Sequence, residues 1–417
     1  MCGVASHNET PPAPSPGVVP DQAGQTYNVG VSGGKIPQRD QAIDLQIVEG
    51  TESMAGFAQS WDDLFSRAVD ATPFLSRPWI STFVEEGKVR GTPLFILGWC
   101  GPNLVALFAL EVRKYLTARI AMPTSTKEGF YLGLLLDPDY QRAVELIADL
   151  IASKKVFDVF YSSDLSSHDL PTHDLLHELT QRGYGCRKVF RNPCFYAELD
   201  DSFDEFLGRN ASPKSRQNLR RRERRLFENG NVKIEHYVAE KVTAEVLLRI
   251  AAIEQQSWLK RRGAATLRRP FLQKLLLKMA HAGFGAVWLM TIDGQDAAYE
   301  YVFVTHRRLQ FGWRAFSLKY TSSMSVGQIL MMQVIRHACE NGILSMDIGH
   351  GEADYKRFWA ESDHKVYRVV AGRGLAGRLI AVCCYIVLRL ARIEWFHTLY
   401  GRVRAAWRRL KHRAGGD

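Results

Sequence analysis

The segment MDIGHGEADYKRFWA, residues 346–360, gathers side chains that can transfer a proton or stabilise a negative charge. The short run LSMDI before it predicts a strand that ends near Asp347, and two glycines follow. Polar groups directly past a strand end are a common way for α/β proteins to place chemistry in a crevice. A carboxylate there can take a proton from an amine or a hydroxyl, and a lysine can hold a phosphate or an oxyanion. The candidate catalytic residues are Asp347, Glu352, Asp354, Tyr355 and Lys356.

His350 is an additional candidate base in this segment. The sequence leaves open which of these groups accepts the proton. It also allows a simpler interpretation, in which the segment is a solvated turn whose glycines permit tight backbone geometry.

A second candidate site is YTSSMSVGQIL, residues 320–330, where apolar residues at helical spacing begin. The N-terminus of a helix carries unpaired backbone N–H groups and about half a positive charge, so it attracts phosphate or pyrophosphate. Serine hydroxyls add donors, and a glycine permits a close approach of the backbone. The candidate cofactor-binding residues are Ser322, Ser323, Ser325, Val326 and Gly327. An ordinary capped helix is the alternative interpretation.

A third candidate site is SPKSRQNLRRRERRL, residues 212–226, which holds seven Lys or Arg residues and one Glu. Ser212 followed by Pro213 predicts a helix start, and Leu219 and Leu226 share one side of that helix. Arginine suits phosphate oxygens, and such closely spaced like charges repel one another unless an anion neutralises them. The candidate anion-binding residues are Lys214, Arg216, Asn218, Arg220, Arg221, Arg314 and Tyr320. A solvated basic face is the alternative.

The net charge of +10 is local, because residues 212–226 contribute +6, residues 372–417 contribute +8 and the remainder sums to about −4. Local charge of this kind implies an anionic partner. Residues 372–417 join the apolar run LIAVCCYIVL to a basic end with interleaved aromatics, Trp395, Tyr400 and Trp407. This tail is expected to lie at a membrane surface or, alternatively, to pack on the domain as a helix with a solvated end.

The order of predicted elements indicates an α/β fold with mixed sheets. The first unit begins with two helices and a hairpin at Gly101–Pro102, and it continues with a helix, a strand, a helix and a strand. The second unit follows a similar order, with a turn at Asp293–Gly294. We therefore expect a disordered leader over 1–42, an N-terminal domain over 43–205, a C-terminal domain over 206–371 and a basic tail over 372–417.

Composition excludes several classes of protein. No run approaches the roughly 18 apolar residues that cross a bilayer, and the first residues lack the pattern of a secretory signal. The seven cysteines show no metal-ligand spacing, so we expect reduced thiols and no metal. The expected location is the cytoplasm, with peripheral attachment at the inner face of the membrane through the tail.

The basic segment, the stretch GWRAFSLKYTSSMSVGQIL and DIGHGEADYKRFW, in this order, resemble the CelD-type (cellulose-biosynthesis) acetyltransferase family of the GNAT superfamily, which is related to the FemABX peptidyltransferases. The resemblance extends over about residues 45–370. The family pattern S-x-K-x-R-x-N-L-R-R falls on residues 212–221, and D-x-G-x-G-x-x-x-Y-K falls on residues 347–356. Family members often carry Tyr-Ser-Pro-Gly at the helix start, where this chain has Ser325-Val326-Gly327 without the proline.

The resemblance implies tandem GNAT-like domains with acetyl-CoA or another acyl-CoA as co-substrate in the second. It implies an N- or O-acyltransferase that acts by direct transfer on an amine or hydroxyl of a polysaccharide or envelope-glycan precursor. A FemABX-like transferase that uses aminoacyl-tRNA is the first alternative, and a non-catalytic nucleic-acid-binding protein is the second. Cys339 lies within a helical pattern and is expected to be buried rather than nucleophilic.

Overall fold

The structure is a computed structural model, and it describes residues 42–68, 70–115, 117–125, 128–320, 324–360 and 362–390. The predicted leader, apart from its last residue, lies outside the described residues. The same holds for Ser322, Ser323 and the part of the tail that carries Trp395, Tyr400 and Trp407.

The first half of the chain alternates helices with strands. Its elements are β1 (Asp44–Glu49), α1 (Ala58–Arg67), α2 (Arg77–Glu85), β2 (Thr92–Cys100), β3 (Asn103–Tyr115), β4 (Ala118–Pro123), β5 (Leu134–Leu136), α3 (Arg142–Lys154), β6 (Val159–Ser166), α4 (Leu170–Gln181) and β7 (Gly185–Glu198).

The second half repeats this order after two connecting helices. Its elements are α5 (Phe203–Asn210), α6 (Pro213–Glu228), β8 (Val232–Val238), α7 (Ala244–Gln255), α8 (Trp258–Arg261), α9 (Pro270–His281), β9 (Gly285–Ile292), β10 (Gln295–Thr305), β11 (Arg308–Phe316), α10 (Val326–Glu340), β12 (Ser345–His350), α11 (Asp354–Trp359), β13 (Ser362–Gly372) and α12 (Gly374–Leu390).

Local sequence signals explain most of these boundaries. Ser212 caps α6 by accepting a hydrogen bond from the backbone N–H of Ser215, which confirms the predicted helix start. Asp293 and Gly294 both adopt positive φ, as a tight hairpin turn between β9 and β10 requires. The stretch AEVLLRIAAIEQQSWLKRR, whose apolar periodicity favours one continuous helix, forms two, because Ser257 caps α8 and separates it from α7.

Thirteen strands of the described residues form one mixed sheet in the order β1-β2-β3-β4-β6-β13-β7-β12-β11-β10-β9-β8, with β5 paired to β3. Among the pairs that these described strands form, only β4 with β6 and β11 with β12 are parallel. The pairing pattern is the same from either end of the sheet, because each half contributes three antiparallel pairs followed by one parallel pair. The predicted mixed α/β class is confirmed.

The two halves exchange their last strands. β13 lies between β6 and β7 of the first half, and β7 pairs in turn with β12 of the second. The largest apolar cluster also spans both halves, since it joins Trp79 and Phe74 to Phe303. The described residues accordingly form one compact unit, and the division near residue 205 stays a prediction.

Candidate active site

Strands β11 and β12 form a fork. Beyond Gln310 and Asp347, the described residues of the two strands are no longer paired with each other. Three residue pairs connect the strands up to that point: Arg308 with Ser345, Leu309 with Met346 and Gln310 with Asp347. β11 then carries a bulge at Gly312, where a Cβ atom would lie 2.9 Å from the ring of Phe303. A bulge bends its strand and re-aims the side chains that follow, so this glycine helps the two strands to separate.

Asp347 is the last residue of β12 that pairs with β11, and its side chain is held in one orientation. Its Oδ1 accepts hydrogen bonds from the backbone N–H of Gly349 at 2.6 Å and from Sγ of Cys194 at 3.3 Å. The hydroxyl of Tyr131 lies 2.7 Å from the same sulfur. Burial raises the pKa of the Asp347 carboxyl, which makes it a stronger proton acceptor than an ordinary aspartate once it is ionised.

Lys356 braces the loop that follows Asp347. Its Nζ donates to the carbonyl oxygens of Gly349 at 2.9 Å and His350 at 2.8 Å. The side chain is buried, and burial lowers its pKa to about 8. Since Gly349 has φ of 80°, the loop uses a conformation that glycine adopts without strain. Lys356 therefore positions the loop after the fork.

The other predicted catalytic residues are placed differently. Glu352 is exposed and forms an ion pair with Arg357, and Asp354 is exposed at the start of α11. His350 lies inside, with Nδ1 3.2 Å from Nδ2 of Asn192. Burial lowers the pKa of His350 to about 4, so the ring is neutral at pH 7. The structure thus brings Asp347 and Lys356 together and leaves Glu352 and Asp354 at the surface.

The space between β11, α10 and α11 holds a polar cluster. Nη2 of Arg314 lies 2.8 Å from Oε1 of Glu300, and it donates to the carbonyl of Gly327 at 3.1 Å. The guanidinium stacks over the ring of Tyr355 at 4.5 Å. Glu300 is only 1% exposed, its Oε2 has no hydrogen-bond partner among the described residues, and burial raises its pKa to about 7. Tyr320, by contrast, packs in the apolar core.

The start of α10 is closely packed. Ser325, the residue before the helix, has a left-handed backbone conformation, and among the described residues its side chain makes no capping hydrogen bond to the first turn. A Cβ atom on Gly327 would lie 2.7 Å from Cδ1 of Phe316. Gly327 is therefore required for packing against β11, a reason that sequence reasoning did not supply.

Helix α6 lies along α10 with its apolar side inward. Leu219 and Leu226 are buried, Arg222 donates to Oε1 of Gln328 at 3.0 Å, and Glu223 pairs with Arg336 at 3.0 Å. The contact with Gln328 brings the basic helix to the first turn of α10. This arrangement places the guanidinium of Arg222 beside that turn.

The predicted anion-binding residues of α6 divide into two groups. Arg216 donates to the carbonyl of Gly208 at 3.1 Å, and Arg220 pairs with Asp204 at 2.8 Å, so both help to attach α6 to α5. Lys214 and Arg221 are exposed and Asn218 is half-buried, and none of the three has a side-chain partner within the described ranges. The latter group keeps its hydrogen-bonding capacity for a ligand.

The equivalent position in the first half is closed to an anion. Asp137 caps the 3₁₀ turn Pro138–Tyr140 that leads into α3, and its carboxylate accepts from the backbone N–H of Asp139 and from Nε of Arg67 at 2.7 Å. This buried carboxylate already takes up a backbone donor and a guanidinium that a phosphate at this turn would need. The two forks of the sheet are thus chemically different.

A cleft of about 1060 Å³ opens on the face of the sheet away from α10. Leu309 and Met346 pack toward α10, and residues alternate along a strand, so Gln310 and Asp347 point into the cleft. Loops of the first half and strands of the second line it together. The cleft therefore meets the fork at its last paired position.

Three polar side chains at the floor of this cleft keep hydrogen-bonding capacity. Gln310 and Thr305 are 4% and 7% exposed, and neither side chain forms a hydrogen bond within the described part of the chain. Arg308 donates from Nη2 to Oδ1 of Asp70 at 3.3 Å, while its Nε is buried without a partner among the described residues. Buried polar groups normally find partners, so such unsatisfied capacity indicates a site for a polar ligand.

One wall of the cleft is aromatic. The rings of Tyr196 and His364 stack with centroids 4.7 Å apart, and His364 stacks on His168 at 3.5 Å. Flat rings beside amide, hydroxyl and carboxylate groups can bind a ligand with one apolar face and several polar edges.

Comparison with known proteins assigns the class. Residues 213–357, about a third of the chain, match the acetyltransferase (GNAT) domain. The fold is similar to that of FemX, with 12% identity and a TM-score of 0.53 over 74% of this chain and 95% of that one. It is also similar to L-PGS from Bacillus licheniformis, with 15% identity and a TM-score of 0.45 over 73% and 90%. A third similar structure is a tandem GNAT protein from the clavulanic acid biosynthesis pathway, with 12% identity and a TM-score of 0.41 over 78% of this chain and 98% of that one.

No curated protein sequence matches the chain significantly. The domain match supports an acyltransferase, and the strand order of the half that contains it is repeated in the first half. The match favours an enzyme over the non-catalytic nucleic-acid-binding protein that charge alone allows. The CelD-type assignment is finer than this match and stays a prediction.

Sequence reasoning missed several residues of the site. Glu300 is a lone carboxylate inside the apolar strand AAYEYVFV, which was a usable signal for a buried functional group. Thr305, Arg308 and Gln310 gave no such signal, because ordinary strands alternate polar and apolar residues.

Proposed function

We propose that the protein transfers an acyl group from acetyl-CoA or another acyl-CoA to an amine or hydroxyl of a polysaccharide or envelope-glycan precursor. The observation that carries this proposal is the position of Asp347. It ends the paired part of the fork, and its side chain lines the cleft on the other face. One carboxylate can therefore contact both an acyl donor bound in the fork and an acyl acceptor bound in the cleft.

The proposed reaction is a direct transfer. The acceptor nitrogen or oxygen attacks the thioester carbonyl carbon and forms the new C–N or C–O bond, while Asp347 takes its proton. The C–S bond then breaks, and the thiolate leaves as coenzyme A. Burial raises the pKa of Tyr355, so its hydroxyl is protonated at neutral pH and can donate to the leaving sulfur. Cys339 is buried and burial raises its pKa to about 11, in keeping with a mechanism that forms no acyl-enzyme.

The donor would lie with its pyrophosphate at the first turn of α10, near Val326, Gly327 and the exposed cations of α6. Arg314 sets a condition on this pose. It spans from β11 to the carbonyl of Gly327, so a pantetheine arm between them requires the guanidinium to turn away.

The glycan acceptor is supported by the chemistry of the cleft. The amide of Gln310, the hydroxyl of Thr305 and the guanidinium of Arg308 offer directed hydrogen bonds, and the stacked rings offer a flat apolar face. Sugar rings present hydroxyl edges and an apolar face, which suits such a surface.

A second candidate is transfer of an aminoacyl group from charged tRNA. Two observations favour it: Arg314 lies across the path of a pantetheine arm, and Lys214 and Arg221 are exposed on a basic helix. Thermal-shift measurements with acetyl-CoA and with aminoacyl-tRNA separate the two, because a ligand stabilises the fold that binds it.

The decisive test is the Asp347→Asn variant with acetyl-CoA and a panel of amino-sugar and glycan acceptors. We expect kcat to fall by about 10² to 10⁴, the usual contribution of a general base, while the Kd for acetyl-CoA stays unchanged. The matched control is Asp201→Asn, which removes an exposed carboxylate near the start of α5. Equal turnover by Asp347→Asn and wild type would overturn the assignment.

A further inference from the structure

Helix α12 lies flat on the centre of the sheet. Ala381 is buried against β6 and β13, and a Cβ atom on Gly377 would lie 2.6 Å from the carbonyl oxygen of Asp158. A Cβ atom on Gly372 would lie 2.1 Å from the carbonyl oxygen of Gly377. These close backbone contacts fix which side of α12 faces the protein and which side faces outward.

The outward side is apolar. Leu375 is 87% exposed, Leu379 64%, Ile386 48% and Val387 44%, and the thiol of Cys383 lies between them. Residues 375, 379, 383 and 386 follow one another at intervals of four, four and three, which places them on one stripe of a helix. In the part of the chain that the structure describes, ten large apolar side chains are exposed, and four of them belong to this one helix.

The stripe is bordered by positive charge. Arg378 donates to the carbonyl of Gly183, and Arg389 lies over the ring of Tyr385. Arg373, at the start of the helix, donates to the carbonyl of Ala152 and so lies beside the exposed Lys154 and Lys155 at the end of α3. α12 itself contains no acidic residue, and the sequence that follows, 391–417, holds seven Lys or Arg against two acids.

We propose that the outer face of α12, defined by Leu375, Leu379, Cys383, Ile386 and Val387, docks on an anionic lipid surface. An apolar stripe with a basic border is the pattern of a helix that lies in the plane of a membrane interface. At about 1.5 Å per residue its 17 residues extend about 25 Å, and no described helix is long and apolar enough to cross a bilayer. A second copy of the chain would place one basic border against another, so charge favours lipid over self-association. This proposal does not rest on the proposed function.

The test is co-sedimentation of the full chain with two kinds of vesicle, phosphatidylcholine alone and phosphatidylcholine mixed with phosphatidylglycerol. The variant Leu375→Glu with Leu379→Glu places two carboxylates in the stripe. The matched control is Leu248→Glu, at an exposed leucine of α7 with 58% exposure. Circular dichroism and a thermal melt establish that each variant is folded.

We expect wild type and Leu248→Glu to bind the mixed vesicles, with binding that weakens as salt rises, and the double variant to bind at least about tenfold more weakly. Equal binding by the double variant would overturn the proposal, because residues 391–417 would then supply the contact alone. Failure of the wild-type chain to bind would also overturn it. So would a wild-type dimer that the double variant converts to a monomer, since the face would then belong to a second copy.

Discussion

The carboxyl of Glu300 should make the stability of the protein depend on pH in a way that one substitution reveals. Glu300 is 1% exposed, and burial raises its pKa from the usual 4.5 to about 7 although Arg314 lowers it. In the unfolded chain the group ionises near its usual pKa, so between these two values the folded state binds more protons. The contribution of Glu300 to stability is therefore full at low pH and is lost as pH rises through about 7.

The magnitude follows from the size of this pKa difference. Each pKa unit corresponds to about 1.4 kcal/mol, so the carboxylate costs about 3 kcal/mol at pH 8 relative to pH 4. Glu300→Gln removes the titration. The difference in the free energy of unfolding, variant minus wild type, should therefore increase by about 3 kcal/mol from pH 4 to pH 8. The attraction of the carboxylate to Arg314 is already included in the pKa of about 7.

Urea unfolding of both proteins at several pH values between 4 and 8 measures this difference directly. Glu245→Gln, which changes an exposed carboxylate on α7, is the control and should give a curve parallel to that of wild type. A difference between Glu300→Gln and wild type that stays constant from pH 4 to pH 8 would refute the reasoning, because the carboxyl would then titrate alike in both states.

Three further outcomes are expected. Lys356→Met should lower the free energy of unfolding by about 1 to 3 kcal/mol in urea, since two loop carbonyls lose their donor, and unchanged stability would contradict the bracing role. Lys214→Glu with Arg221→Glu, which changes two exposed cations of α6 that have no partner among the described residues, should raise the apparent KM for the anionic substrate, and unaltered steady-state kinetics would argue that α6 does not contact that substrate. Cys339→Ala should keep kcat, because the thiol is buried in α10, and loss of turnover would point to an acyl-enzyme.

The elements that the sequence predicts are those with strong local signals. Ser212–Pro213 at the start of α6 and Asp293–Gly294 between β9 and β10 each satisfy a local backbone requirement. The first part of β7, GCRKVFRN, gives no such signal, because its charged residues obscure the alternation typical of a strand. The position of β13 between β6 and β7 depends on long-range pairing, which no local pattern encodes.

The same contrast holds for the site. Asp347 and Lys356 were predictable because they belong to one short segment after a strand, although the sequence did not distinguish them from Glu352 and Asp354. The cleft was not predictable, since its lining combines residues of seven separate strands with loops of the first half. Tertiary packing alone decides that Gln310 shares a surface with Asp347.

The central claim is that the fork between β11 and β12, and not its counterpart between β4 and β6, holds the acyl donor. Hydrogen–deuterium exchange with and without acetyl-CoA tests it most directly, because bound ligand slows exchange where it orders the backbone. We predict protection at residues 311–316, 324–330 and 348–350, with exchange at residues 137–145 unchanged. Protection at residues 137–145 without protection at 324–330 would contradict the claim.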